Sequence, residues 1–176
     1  MNATQPRLFT PPPATTIPSD EWYTPIDIID AARSVFGCID CDPASSRAAQ
    51  TRVNATTFYT LADDGLSQLW HGDVWLNGPY SDLLPWMNKL KHEYRYSKRV
   101  TGYIALVPER LGVKWFNIVR DLSSAMCMFD ERIRFVRADG RGTTSPNFGN
   151  VAFYAGVHPL VFKRVFSRFG AVWVNV

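Results

Sequence analysis

The stretch Asp73-Val74-Trp75-Leu76-Asn77-Gly78-Pro79-Tyr80-Ser81-Asp82 decides how the rest of the chain is read. Asp73 to Leu76 is a short apolar run of strand length. Behind Ser81-Asp82, residue types that cap helices, Leu83, Leu84, Trp86, Met87, Leu90 and Tyr94 recur at helical spacing. A strand that runs through a tight turn into a helix places Asn77 and Tyr80 at the strand's carboxyl end. In an open α/β sheet, that edge is where ligands bind.

Working outward, Met1 to Ser19 holds five of the 12 prolines and few large apolar groups. It reads as a flexible arm before a single domain over residues 20–176. Thr24 is expected to cap a helix with Pro25 at its first position and Asp27 in its first turn. Ile28, Ile29, Ala32, Val35 and Phe36 form that helix's apolar face, and Gly37 ends it. Cys38 to Cys41 continues as a short strand with Asp42-Pro43 at its end. Arg47 to His71 is less regular, with Thr56 to Thr60 as a candidate edge strand and Asp63-Asp64-Gly65-Leu66 as a turn.

Beyond Tyr80, Val100 to Val107 is an apolar strand ended by Pro108. Lys114 to Leu122 is a helix with Trp115, Ile118, Val119 and Leu122 on one side, and Ala125 to Phe129 is another strand. Arg132 to Arg137 and Asn150 to Ala155 alternate like the arms of a hairpin, joined by a loop rich in Gly, Arg, Thr, Ser and Asn. Pro159 opens a last helix, and Ala171 to Val176 is a final strand or tail. Alternating strands and helices imply an α/β fold with a mostly parallel sheet and right-handed crossovers, and the late hairpin implies an antiparallel edge.

Composition bounds the function. A chain of 176 residues, 46% of them hydrophobic, can bury a core as one domain. No run reaches the roughly 18 apolar residues of a membrane helix, and the N-terminus lacks the basic-then-apolar secretory pattern, so a cytoplasmic location is expected. Cys38, Cys41 and Cys127 are odd in number, which argues against a disulfide framework. Cys38-Ile39-Asp40-Cys41 spells C-x-x-C, but no second pair or His cluster completes a zinc site, and buried strand thiols are the expectation. The formal charge of +3 permits a nucleic-acid partner without demanding one. Lys89, Lys91, Arg95, Lys98 and Arg99 form the densest basic run, read as the solvated face of the helix after Tyr80.

Asn-Gly and Gly-Pro are ordinary turn dipeptides. At a ligand-binding edge they also carry a specific chemistry. The Asn77 side-chain oxygen and the Gly78 backbone carbonyl are two acceptors side by side, able to grip both hydrogens of an exocyclic amino group. Tyr80 supplies a face for stacking a planar base, worth about 1–3 kcal/mol per base. Gripping an aryl amine in this way draws its nitrogen toward tetrahedral geometry and frees its lone pair.

Taken together, Glu21-Trp22-Tyr23-Thr24-Pro25, Asp42-Pro43-Ala44-Ser45, Asp64-Gly65-Leu66, Trp70 and Trp75-Leu76-Asn77-Gly78-Pro79-Tyr80-Ser81 resemble, in order and spacing, the phage-type DNA N-6-adenine methyltransferases. The resemblance runs from about Asp20 to about Tyr154, and it departs from the family's Asn-Pro-Pro-Tyr at Gly78. It implies a Rossmann-like domain that transfers a methyl group from S-adenosylmethionine to the exocyclic nitrogen of a flipped adenine in DNA. It further implies that Asn77, Gly78, Pro79 and Tyr80 are catalytic, that Asp42 with Pro43 binds the cofactor, that Trp22, Thr24 and Pro25 line the same pocket, and that Asp64 faces it. The Gly-x-Gly loop usual in methyltransferases is replaced by Ala44-Ser45-Ser46.

Arg132, Arg134, Arg137 and Arg141, with Asn147 and Phe148, are the candidate DNA-contacting residues, since Arg suits phosphate and guanine. Two other readings stay open: a cytosine N-4 methyltransferase, whose motif usually begins with Ser or Thr, and a DNA- or cofactor-binding module whose catalytic turn has decayed at Gly78.

Overall fold

The structure is a computed structural model that describes residues 22–137, 143–144 and 146–175. The expected arm from Met1 to Ser19 lies outside them. In chain order the elements are β1 (Trp22–Tyr23), α1 (Ile26–Phe36), β2 (Cys41–Asp42), α2 (Arg47–Val53), β3 (Thr57–Phe58), β4 (Gly72–Leu76), α3 (Leu83–Lys91), β5 (Val100–Pro108), α4 (Lys114–Leu122), β6 (Ala125–Phe129), β7 (Phe135–Arg137), β8 (Thr143–Thr144), β9 (Asn150–Ala155), α5 (Pro159–Phe166) and β10 (Gly170–Val174). Seven strands form one sheet in the order β10-β6-β9-β5-β4-β2-β3.

Each central strand alternates between two cores, as a sheet covered on both faces requires. Val74 and Leu76 of β4, Tyr103, Ala105 and Val107 of β5, and Val151, Phe153 and Ala155 of β9 face the layer of α3 and α4. Trp75, Ile104, Leu106, Ala152 and Tyr154 face the layer of α1 and α5. On α4 the deeply buried residues are Phe116 and Val119, with Trp115, Ile118 and Leu122 packed around them.

The sheet is mixed, parallel from β3 through β2 and β4 to β5 and antiparallel from β5 through β9 and β6 to β10. The expected hairpin of Arg132 to Arg137 with Asn150 to Ala155 does not form. All six residues of β9 are buried, and β9 lies between β5 and β6. Its sequence is apolar on both sides, and a strand buried on both faces belongs in the middle of a sheet. β7 pairs instead with β1 and β8 in a separate three-stranded antiparallel sheet.

Three smaller expectations are also corrected. The helix α1 begins at Ile26 with Pro25 as its N-cap, whose carbonyl accepts from the N–H groups of Ile28 and Ile29, so Thr24 is not the cap. The strand read over Cys38 to Cys41 is β2, Cys41–Asp42 only, and the Cys38 thiol is exposed while Cys41 and Cys127 are buried. The irregular region also contains α2, announced by Ser46, whose hydroxyl accepts from the Ala49 N–H at 3.1 Å.

After α3 the chain makes a π-helical turn over His92–Tyr96 around the buried Glu93. Lys89 (2.7 Å), Arg99 (2.8 Å) and the Ser97 hydroxyl (2.7 Å) converge on its carboxylate. Burial pushes this carboxyl up, but these partners outweigh it and hold it below the usual range. Two members of the basic run, Lys89 and the exposed Arg99, are therefore tied to the buried Glu93.

Candidate active site

The site follows from the strand order. β2 and β4 are parallel neighbours, and the chain leaves β2 toward β3 on one side and β4 toward β5 on the other. Their carboxyl ends therefore open a crevice at the point where the order reverses. Two cavities meet in it. The smaller, about 290 Å³, is lined by Trp22, Thr24, Asp42, Trp75, Tyr80 and Phe135 among others. The larger, about 740 Å³, is lined by Pro43, Tyr59, Leu61, Asp64, Pro79 and Trp86 among others. Ala44, Ser45, Ser46 and Asn77 belong to both, so Asn77 stands at their junction.

Asp42 ends β2 with only 3% of its surface exposed. Burial pushes its carboxyl up to about 7, against the pull of hydrogen bonds from Ser45, the Ala44 N–H and Gln50. Gln50, from α2, donates to Asp42 at 2.8 Å and to the Ser45 hydroxyl at 2.7 Å, and its own oxygen accepts from the Ala55 N–H at 2.9 Å. Its amide thus ties the acid, the Ala44-Ser45 loop and the end of α2 together. The loop keeps its shape without glycine through these side chains.

The Asp64-Gly65 turn closes the far wall. A Cβ on Gly65 would lie 1.9 Å from the Pro43 carbonyl oxygen, so only glycine lets the two turns touch. The Gly65 carbonyl accepts from the Trp70 indole at 2.7 Å, and Trp70 stacks on Trp86 at 6.0 Å. Asp64, with φ of 49°, is exposed at the rim of the larger cavity.

Asn77 follows β4 directly. Its Nδ2 donates to the hydroxyl oxygen of Thr24 at 3.2 Å, and its Oδ1 is buried without a hydrogen-bond partner. Gly78 lies outside the left-handed region, and a Cβ there would meet Trp86 and Leu83 at ordinary contact distances of 3.4 and 3.5 Å. The phenol oxygen of Tyr80 accepts from Asn150 Nδ2 at 3.0 Å, and burial pushes this phenol up. Phe135 meets the Tyr80 ring edge-on at 6.3 Å, and Phe148 leans on it at 5.8 Å. Trp22 stacks on Phe135 at 5.9 Å, so the short β1-β7 pairing brings an aromatic roof over the smaller cavity.

The sequence pattern of the DNA N-6-adenine-methyltransferase (Dam) family matches residues 14–168. The chain belongs to that family. Membership makes it a DNA methyltransferase, with DNA as the substrate. No curated protein matches the chain.

In this Dam-family chain the structure gathers Trp22, Thr24, Asp42, Pro43, Asp64, Asn77, Gly78, Pro79 and Tyr80 around the two cavities. Pro25 lines neither and serves as the N-cap of α1. Arg132 and Arg134 are exposed on the segment entering β7, Arg137 ends β7 opposite Trp22, and Asn147 is exposed beside Phe148. Arg141 lies outside the described residues. Phe135, Gln50 and Asn150 escape the sequence reading, although the capping serine before Gln50 is a usable signal for its helix. Among the described residues no group of three His, Cys, Asp or Glu side chains is placed to hold a metal, and no helix is long and apolar enough to cross a membrane.

Proposed function

We propose that this chain transfers a methyl group from S-adenosylmethionine to the exocyclic amino group of an adenine flipped out of DNA. The observation that carries the reading is the buried, unpartnered Oδ1 of Asn77 at the junction of the two cavities. An acceptor left without a partner in a folded protein is costly unless a ligand supplies the donor. An amino group does so. With the Gly78 carbonyl as the second acceptor, Asn77 holds both amine hydrogens and exposes the nitrogen lone pair. Tyr80, braced by Phe135, Phe148 and Asn150, stacks on the base.

The residues present fit S-adenosylmethionine. Asp42 is a buried acid at the end of a central strand, suited to an amine or to ribose hydroxyls. Trp22 and Thr24 line the same cavity, and Pro43 and Asp64 line the adjoining one. When bound, S-adenosylmethionine supplies the electrophilic methyl group. The chain's contribution is alignment of the amine and exclusion of water, which account for much of the acceleration in reactions of this kind. The order reversal between β2 and β4 supports a Rossmann-like methyltransferase domain over residues 20–176. Arg132, Arg134, Arg137, Arg141 and Asn147 are assigned to the DNA backbone and bases flanking the flipped adenine.

Gly78 retains a backbone conformation open to other residues, which supports an intact turn over a decayed one. Asn rather than Ser or Thr at the head of the motif favours adenine over cytosine. A phage or prophage setting in a bacterial cytoplasm, serving DNA modification, completes the reading. Radiolabelled methyl transfer to unmethylated DNA, digested to nucleosides, tests it. N6-methyladenine should appear with wild type, and Asn77→Ala should lower turnover about 10²–10³-fold. Calorimetric affinity for S-adenosylmethionine should stay close to wild type. Wild type that methylates no adenine-containing DNA overturns the proposal.

A further inference from the structure

An amide side chain presents opposite chemistry at its two ends, and only one of two orientations, related by a half-turn, serves an amine. With Oδ1 toward the cleft, Asn77 offers an acceptor. With Nδ2 toward the cleft it offers donors, which repel an amino group and suit a carbonyl or ring nitrogen. The tetrapeptide by itself does not choose between them.

Thr24 does. Only 5% of the residue is exposed, and its hydroxyl oxygen takes the Asn77 Nδ2 hydrogen at 3.2 Å. The other end, Oδ1, is buried and has no partner. Thr24 is itself held on both sides. Trp22 and Tyr23 before it pair with Arg137 and Val136 of β7. Pro25 after it disfavours the helical region for Thr24 and starts α1, whose Ile28, Ile29, Ala31 and Ala32 sink into the core. A hydroxyl so fixed is a rigid reference point for an amide 53 residues away.

We infer that Thr24 is a positioning residue which anchors the Asn77 amide through Nδ2 and so leaves Oδ1 for the substrate amine. This inference rests on the proposed role of Asn77 in holding adenine. It adds to the role expected for Thr24, a wall of the cofactor pocket, that of a support for the group that meets the amine.

The test uses the full chain with isotope-labelled asparagine and three variants. Thr24→Val keeps the shape and removes the hydroxyl, Thr24→Ser keeps the hydroxyl and removes a methyl, and Thr24→Ala repeats the first change should Val not pack. Removing the hydroxyl should lower kcat about tenfold, the scale of one hydrogen bond. The KM for S-adenosylmethionine and the melting temperature should hold. In the same variant the Asn77 side-chain amide signals, assigned by their loss in Asn77→Ala, should shift or broaden by NMR. Thr24→Ser should restore both the rate and the signals.

Amide signals untouched by loss of the hydroxyl overturn the inference, as does a fall in cofactor affinity that accounts for the whole loss of rate. Amide signals that respond as expected, combined with full turnover in Asn77→Ala, uphold the positioning role and overturn the proposed role of Asn77.

Discussion

The parallel and antiparallel sides of the central sheet are both made of short apolar strands, yet they end differently. On the antiparallel side, β9 is buried from Asn150 to Ala155, and Tyr154, Phe162 and Phe166 stack in series with ring separations of 5.0 and 4.3 Å. Most of its surface is hydrocarbon against hydrocarbon. On the parallel side, the carboxyl ends of β2 and β4 carry a buried acid and an unpartnered amide oxygen, and the turn facing them holds Gly65, too close to the Pro43 carbonyl for any side chain. The antiparallel half is mostly apolar, with the buried Asn150 Oδ1 at the start of β9 as its own unpartnered oxygen, while the parallel half sets an acid and an amide oxygen side by side at its strand ends. The contrast sets the polar strand ends of one half against the apolar packing of the other.

The sharpest way to break that comparison is to damage the antiparallel half and ask whether the site notices. Phe162 is fully buried between Tyr154 and Phe166. Phe162→Ala should cost about 3–5 kcal/mol of unfolding free energy, read from urea melts. Affinity for S-adenosylmethionine at a temperature where the variant stays folded should hardly change. A loss of affinity equal to the loss of stability would show that the two halves are not separable.

Asp42 sharpens the comparison by titration. Its carboxyl is raised from 3.8 to about 7 by burial. Below pH 4 the folded and unfolded chains both hold this proton. Between about 4 and 7 the unfolded chain has released it while the folded chain retains it, so the unfolded state is progressively favoured as pH rises. Wild type should therefore lose stability relative to Asp42→Asn across that window, with the gap constant above it. Ligand affinity should run the other way in wild type, strengthening as pH rises through 7, because an ionised carboxylate holds an amine or hydroxyls better. Denaturation midpoints and calorimetry from pH 4 to pH 8 read both trends, and a pH-independent gap between the two proteins would place the strain elsewhere.

The smallest effect is expected at Gly78. Its backbone is outside the left-handed region and Pro79 already restricts it to extended angles. Gly78→Pro should leave the melting temperature within a few degrees of wild type and keep or raise turnover, since the carbonyl proposed to meet the amine is unchanged. Loss of folding in this variant would mean that the turn needs freedom the backbone angles do not reveal.

Much of this molecule was legible without a structure. The helices after Asp82 and over Lys114 to Leu122 and the strands Val100 to Pro108 and Ala125 to Phe129 stand where their periodicity places them. Hydrophobic spacing and strand-ending turns are local signals, and they sufficed to set Asn77, Tyr80 and Asp42 at strand ends. The mixed sheet was not legible. Period-two alternation in Asn150 to Ala155 is compatible with one buried face or two, and only the layers packed on each side decide that β9 lies in the centre and that the arginine strand β7 leaves for a second sheet.

The same holds at the site. Sequence order named the tetrapeptide and its acid because turn chemistry and strand ends are written in neighbouring residues. The Asn77 amide is hydrogen-bonded to Thr24, 53 residues earlier, and the Tyr80 phenol to Asn150, 70 residues later. A hydrogen bond between side chains so far apart leaves no periodicity and no spacing in the chain. It exists only because the fold brings the turn after β4 against the residue before Pro25 and against the first residue of β9.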